Sequence, residues 1–273
     1  MPILTVADYL QLPTVPATAR YVYGPDPEQF SDLYLPTTGD NHPVIVLIHG
    51  GCWHAQYGLA PLGRFCETFA ALGVAVWSLE YRRLGNGGGW PNTFLDVASG
   101  ADYLRSLANQ YSLDLNRVVA VGHSAGGHLA LWLATRHCLP NNSPLATPDP
   151  LPLRGVVALA GIPDLVDAEL RNLCRGAITE MMNGSAQSVP EAYRSASPAA
   201  NLPLGIHQHL IIGTLDESVQ VAHNTTYVEA ARRQGDTVHY TILPDIGHFE
   251  LIAPGTMAWP TVQAAILQFI HAQ

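Results

Sequence analysis

No run of the sequence reaches the roughly 18 uninterrupted apolar residues that a membrane-crossing helix needs, so no bilayer span is expected. The opening residues, MPILTVADYLQLPTV, carry neither a basic segment nor a long apolar stretch and do not read as a secretory signal. Cysteine is scarce. Cys52, Cys66, Cys138 and Cys174 are scattered and form no CxxC pair, a pattern that reads as free buried thiols in a cytoplasmic protein. The sequon Asn224-Thr225-Thr226 carries little weight without secretion. Positive charge is scarce too. Thirteen basic residues face 22 acidic ones, for a formal charge of −9, and no basic cluster is denser than Arg82-Arg83 or Arg232-Arg233. Nucleic acid and anionic membrane are thereby excluded as expected partners. His207 and His209 share one short stretch, but no third ligand accompanies them, so no metal is expected. The glycine-rich stretch 85–90, GNGGGW, lacks the Gly-Lys-Ser/Thr of a phosphate loop and does not fit the dinucleotide fingerprint. There is no internal repeat and no low-complexity linker.

What the chain does have is apolar residues, at 48%, with charged residues at only 13%, which permits a large core. Six apolar runs read as strands: 43–50, 73–81, 117–124, 153–161, 207–214 and 236–244. None alternates polar with apolar residues, so both faces of each are expected to be covered, as in a parallel central sheet. Helical patterns at 62–72, 93–111, 124–138 and 220–235 lie between them, the last closing on Gly235 as a C-cap signal. Repeated strand–helix–strand units imply right-handed crossovers and a doubly wound α/β sheet. Residues 19–24 and 29–36 do alternate and are expected to form an antiparallel edge. Residues 162–206, with Pro163, Pro190, Pro198 and Pro203, break the rhythm. They hold two helix-like pieces, 164–184 and 190–198, and read as a small cap over the carboxyl ends of the strands, with an ordinary long connection as the alternative. The expectation is one domain over residues 1–273.

The stretch VVAVGHSAGGHLA, residues 118–130, is an apolar strand that stops at a glycine, turns on Ser124 and restarts as a helix. Gly122-His123-Ser124-Ala125-Gly126 fits G-x-S-x-G in the strand-to-helix context that makes the motif meaningful. A sharp turn there lifts a serine hydroxyl out of the sheet, and side chains at 122 and 126 would collide with neighbouring backbone. Such a serine needs a base. Of His137, His207, His209, His223, His239 and His248, only His248 follows the last strand at its carboxyl end. The base needs an acid, and Asp216 lies just beyond the fifth run, whereas Glu217 is expected to point away and Asp245 follows a later strand. The order Ser124, Asp216, His248 is that of the α/β-hydrolases. Gly50 and Gly51, after the buried run 43–50, supply backbone N–H groups for an oxyanion, with Ala125 on the other side.

These stretches, HGGCW, GHSAGG and GHFELI, resemble the α/β-hydrolase superfamily over residues 20 to the end. The nearest groups are the esterases related to hormone-sensitive lipase and the kynurenine formamidases. The resemblance implies a serine hydrolase with Ser124, Asp216 and His248 as triad and Gly50, Gly51 and Ala125 as oxyanion donors. LEYRRLG, residues 79–85, resembles a structural tyrosine–arginine stretch of these esterases, with Arg82 and Asp96 as the matching pair. Two departures stand out: Cys52 and His123 replace the third glycine of HGGG and the aspartate of GDSAGG. Ala253 also stands where related formamidase-like proteins carry an aspartate.

Trp53 and Tyr57 follow the oxyanion glycines and could wall an acyl pocket, with a plain core role equally open to Trp53. Met181 and Met182 could line a cap pocket, but ordinary packing within the cap is the preferred reading. Taken together, the residues predict a serine carboxylesterase acting on small, largely uncharged acyl esters without a cofactor. An aryl formamidase would use the same parts on an amide, and a hydrolase-fold binding protein is the non-catalytic alternative. The expected partner is a small-molecule acyl ester or amide.

Overall fold

Alternate residues of the central strands fall on opposite sides of one sheet, and each side has its own core. On the strand over His42–Ile48, Val44, Val46 and Ile48 join one hydrophobic cluster while Ile45 and Leu47 join the other; Val118 and Ala120 divide in the same way from Val119 and Val121. This explains apolar runs without alternation: both faces are covered, so both sets must be apolar.

The computed structural model describes residues 3–272. Helix α1 (Val6–Leu10) precedes strands β1 (Ala19–Val22) and β2 (Phe30–Tyr34). Then come β3 (His42–Ile48), α2 (Gly63–Ala71), β4 (Ala75–Leu79), α3 (Asn92–Asp102), α4 (Leu104–Leu107), β5 (Leu113–His123), α5 (Ala125–Thr135) and β6 (Gly155–Leu159). Three short helices follow, α6 (Leu165–Leu170), α7 (Ala177–Met181) and α8 (Pro190–Ala196). The chain finishes through β7 (His207–Gly213), α9 (Val221–Arg233), β8 (Val238–Leu243) and α10 (Trp259–His271). The sheet order is β1-β2-β4-β3-β5-β6-β7-β8. Strands β3 to β8 pair in parallel, and β1 and β2 form the expected antiparallel edge. Among the described residues no helix is long and apolar enough to cross a membrane.

Register places the loops that carry the candidate site residues at one edge. Ile48 pairs with Gly122, His123 with Leu159, Leu159 with Ile211, and Gly213 with Leu243. Gly50, Ser124, Asp216 and His248 therefore all leave the sheet at its carboxyl side. Helices α2 and α10 cover one face, with Phe65 and Phe69 packed edge-on against Trp259. Phe94 of α3 and Trp132 of α5 meet in the other core.

Three expectations are corrected. β8 lies at the sheet's edge and is only partly covered, unlike the buried run expected at 236–244. The helical pattern at 93–111 breaks at Tyr103 into α3 and α4. The four cysteines are not all free buried thiols: Cys52 and Cys174 form a disulfide, Cys66 is free and buried, and Cys138 is free and exposed. The bridged residues are 122 positions apart and only 5.5 Å apart between Cα atoms. No spacing rule could pair them; the fold does, by bringing the loop after β3 against the turn between α6 and α7. That turn is left-handed at Asn172, Cys174, Arg175 and Gly176.

The bridge closes a long loop, and such cross-links typically stabilise by about 2–4 kcal/mol. Replacing Cys52 and Cys174 by serine should lower Tm by roughly 5–15 °C. Thermal melts with and without a thiol reductant, beside non-reducing peptide mapping for a 52–174 linked pair, check this. Identical melts in both conditions would contradict the bridge.

Candidate active site

Between β5 and α5 the backbone turns on a residue that ordinary sterics disfavour. Ser124 has φ 56° and ψ −121°. Its N–H donates to Leu159 O at 2.8 Å and its carbonyl accepts from His128 N at 3.1 Å, so the turn is pinned on both sides. The hydroxyl does not cap α5. The flanking glycines are steric necessities. A Cβ at Gly122 would sit 2.0 Å from Gly126 O, and one at Gly126 would sit 2.1 Å from Ile48 O. A Cβ at Gly50 would fall 2.7 Å from His123 O and 3.0 Å from Ser124 Cβ, which sets the glycine loop directly against the serine turn. Ala125 is the first residue of α5, so its N–H has no partner within the helix.

The structure joins Asp216 to His248. Asp216 Oδ2 accepts from His248 Nδ1 at 2.7 Å, while Oδ1 accepts from the backbone N–H groups of Ser218 and Val219, both at 2.8 Å. The carboxylate is thus held from both oxygens, and its side chain is fully buried. Because a carboxylate only accepts, Nδ1 carries hydrogen, which leaves Nε2 to accept. Glu217 is exposed, as expected. No hydrogen bond joins Ser124 Oγ to His248 among the described residues; what connects them is His123. Its Nε2 donates to His248 O at 3.0 Å, and the two rings lie 4.4 Å apart. Burial, helped by the neighbouring His248, pushes the His123 imidazole well below its usual range, so it stays neutral. Behind this pair α1 closes the site. Tyr9 stacks on Phe249 at 5.1 Å, and Phe249 meets His248 edge-on at 5.0 Å.

The expected substrate-side residues divide. Trp53, Met181 and Met182 are wholly buried and belong to a core cluster, so they offer no open wall; Tyr57 is half-buried. Trp53 packs its ring against His128 at 5.4 Å. The Met181 carbonyl accepts from Trp90 N at 2.6 Å, which ties the 162–206 segment to the glycine-rich loop. Arg82 and Asp96 form the expected pair, with Nε and Nη2 donating at 2.8 and 2.7 Å. Asn224 is buried and donates to Gly161 O, so its sequon is no surface acceptor. Sequence reasoning missed Glu80, a carboxylate that ends an apolar run and is buried against His49 and Arg83. A charge at the end of a buried strand was the available signal.

A sheet parallel from β3 onward, with helices on both faces and a serine turn between its fifth strand and the next helix, defines the α/β-hydrolase fold. The chain belongs to the BD-FAE family, whose profile matches residues 31–230. Among curated proteins it is 29% identical to Esterase LipC of Mycobacterium tuberculosis over 262 residues, covering 91% of this chain and 63% of that protein. It is 26% identical to the probable isoprenylcysteine alpha-carbonyl methylesterase ICMEL1 of Oryza sativa subsp. japonica, over 78% of this chain and 52% of that protein. The chain thus spans less than two thirds of both relatives. Among solved structures, an inhibited Esterase B from Lactobacillus rhamnosis superposes with a TM-score of 0.81 at 19% identity, covering 97% of this chain and 90% of that one.

The strained turn generates a stability prediction. Backbone of this kind costs a non-glycine residue about 1–3 kcal/mol, which glycine largely escapes. Ser124→Gly should therefore melt above Ser124→Ala, by about 1–2 kcal/mol after glycine's extra chain entropy is counted. Chemical denaturation of the two variants measures the difference, and an alanine variant as stable as the glycine one would mean the turn is unstrained.

Proposed function

We propose that this protein is a serine carboxylesterase for small acyl esters. The observation that carries the reading is the Asp216–His248 hydrogen bond, set beside the Ser124 turn at the carboxyl edge of the sheet. Ser124 Oγ attacks the ester carbonyl while His248 Nε2 takes its proton, and Asp216 holds the ring in that tautomer and stabilises the imidazolium. The carbonyl oxygen, now negative, accepts from the N–H groups of Gly50, Gly51 and Ala125. His248 returns the proton to the leaving alcohol, and water repeats the cycle on the acyl-enzyme. The esterase names of LipC and of the rice methylesterase support an ester over a formamide. No feature of the site favours the formamidase reading, and the intact Ser124, Asp216 and His248 set argues against an inert binding fold.

Residues 162–206 act as a cap. They follow β6 at the substrate edge and are tied to the loop after β3 by Cys52–Cys174. His128 Nε2 and Trp132 Nε1 of α5 donate to the carbonyls of Ala196 and Ser195, which supports a cap seated on the nucleophile's own helix. The cytoplasmic expectation rested on free thiols and on an N-terminus unlike a secretory signal; the bridge removes the first of these and favours an oxidising compartment.

A fluorophosphonate should label the wild type stoichiometrically at Ser124, and Ser124→Ala should neither label nor turn over, a loss on the order of 10⁴- to 10⁶-fold. If Ser124→Ala keeps more than about a tenth of wild-type turnover, the nucleophile is another residue. Asp216→Asn should lower kcat strongly with KM little changed, and Glu217→Gln should do little; the reverse pattern would move the acid to Glu217.

Ser124 and His248 are almost closed to solvent, at 4% and 7% exposure, which supports the reading of a closed site for a small acyl group. On p-nitrophenyl esters, kcat/KM should peak at acyl chains on the order of two to six carbons and exceed that on N-formylkynurenine. An optimum at long chains would sink the closed-pocket view, and a preference for the formamide would replace the esterase reading.

A further inference from the structure

One residue past β4, Glu80 is a carboxylate only 4% exposed. Its Oε1 accepts from His49 Nε2 at 2.7 Å, from Arg83 Nη1 at 2.6 Å and from the Tyr81 N–H at 3.0 Å; its Oε2 accepts from the Leu59 N–H at 3.2 Å. Arg83 also donates to the Tyr57 carbonyl and to Glu28. These partners fall at the two ends of one loop. His49 opens it, Tyr57 and Leu59 close it, and Gly50 and Gly51 lie between. The other ring nitrogen of His49, Nδ1, meets Gly50 O at 2.8 Å. Both nitrogens therefore face oxygen atoms. Tyr81 stacks on the same ring at 4.5 Å, and its hydroxyl donates to His49 O at 2.9 Å. Burial alone would raise the Glu80 carboxyl; His49 and Arg83 outweigh it and hold the group below the ordinary carboxylate range.

The loop needs holding. Gly51, Cys52 and Trp53 are consecutive residues with positive φ, at 113°, 49° and 57°. Such backbone persists only where its surroundings over-determine it. Oxyanion donors act through preorganisation, because an N–H already aimed at the developing charge needs no reorganisation when the charge arrives. A buried carboxylate grasping both ends of the loop supplies that rigidity from behind the substrate.

We propose that Glu80 is the positioning residue of the oxyanion loop: through His49 and the loop's far end it fixes the Gly50 and Gly51 N–H groups where the substrate carbonyl becomes negative. The proposal rests on the esterase reading above. Its test compares wild type, Glu80→Gln, Tyr81→Phe and Ser124→Ala on p-nitrophenyl propionate. A short alkylboronic acid, which becomes tetrahedral on the serine, serves as a transition-state mimic. In Glu80→Gln, kcat should fall on the order of 10- to 100-fold, short of the 10²- to 10³-fold cost of deleting a donor outright. KM should stay within about twofold, and boronate affinity should weaken by the same factor as kcat. Tyr81→Phe removes the hydrogen bond that Tyr81 donates to His49 O at the start of the loop and should move kcat and boronate affinity together by a few-fold, which tests the loop's preorganisation if Glu80→Gln does not fold. A folded variant that loses only thermal stability, with kcat and boronate affinity intact, overturns the proposal. Fluorophosphonate labelling separates this from the parent reading. If wild type labels and Ser124→Ala does not, the esterase reading stands whatever Glu80→Gln does; if wild type does not label, that reading falls and the proposal with it.

Discussion

The backbone at the top of β5 passes so close to its neighbours that side chains have no room, and the rest of the site is arranged around that approach. Gly122 and Gly126 nearly touch, and Gly126 lies on the end of β3. The turn so compressed places Ser124 where the parallel strands end, and parallel register carries Gly50, Asp216 and His248 to the same edge. The two-sided core underneath makes the edge rigid. A sheet packed on one face only could flex; this one is held by α2 and α10 on one side and α3, α5 and α9 on the other.

The parallel strands, the antiparallel edge, the Ser124 turn and the Asp216–His248 pair were legible because each has a local signature: continuous apolar runs, alternation at 19–24 and 29–36, a glycine-flanked serine, and polar residues just past strand ends. Helices α1 and α10 were not read, although α10 supplies Trp259 and Phe269 to the core. Neither lies between two strands, so the alternating rhythm that revealed the others gave no prompt. The Cys52–Cys174 pairing was invisible because it depends on how the 162–206 segment folds back. Trp53, Met181 and Met182 carried the right chemistry for a pocket wall, but burial is decided by neighbours far along the chain. Glu80 was hidden for the opposite reason. Its partners His49, Arg83 and Leu59 are assembled from three separate stretches.

Few residues are charged, and those near the site are spent on geometry rather than on steering. Every one of the 13 basic residues is an arginine. The guanidinium fork suits fixed, two-point pairing, as in Arg82 with Asp96, Arg20 with Asp32 and Arg136 with Asp102. Arg83 spans Glu80, Glu28 and a backbone carbonyl at once. Removing one member of such a buried set leaves the others uncompensated, so the arrangement is retained as a unit or lost as one.

The disulfide also changes the connectivity of the chain. Between Cys52 and Cys174 lie β4, β5, β6 and Ser124, so this stretch, nearly half of the chain, is a covalent ring from which the two flanking segments emerge. A single peptide-bond cut anywhere inside the ring, for example by a protease at the exposed residues 140–142, opens it without dividing the molecule. The sulfur bond still links the halves, and Ser124 stays attached to the segments that bear Asp216 and His248. Only a cut outside the ring separates the fragments.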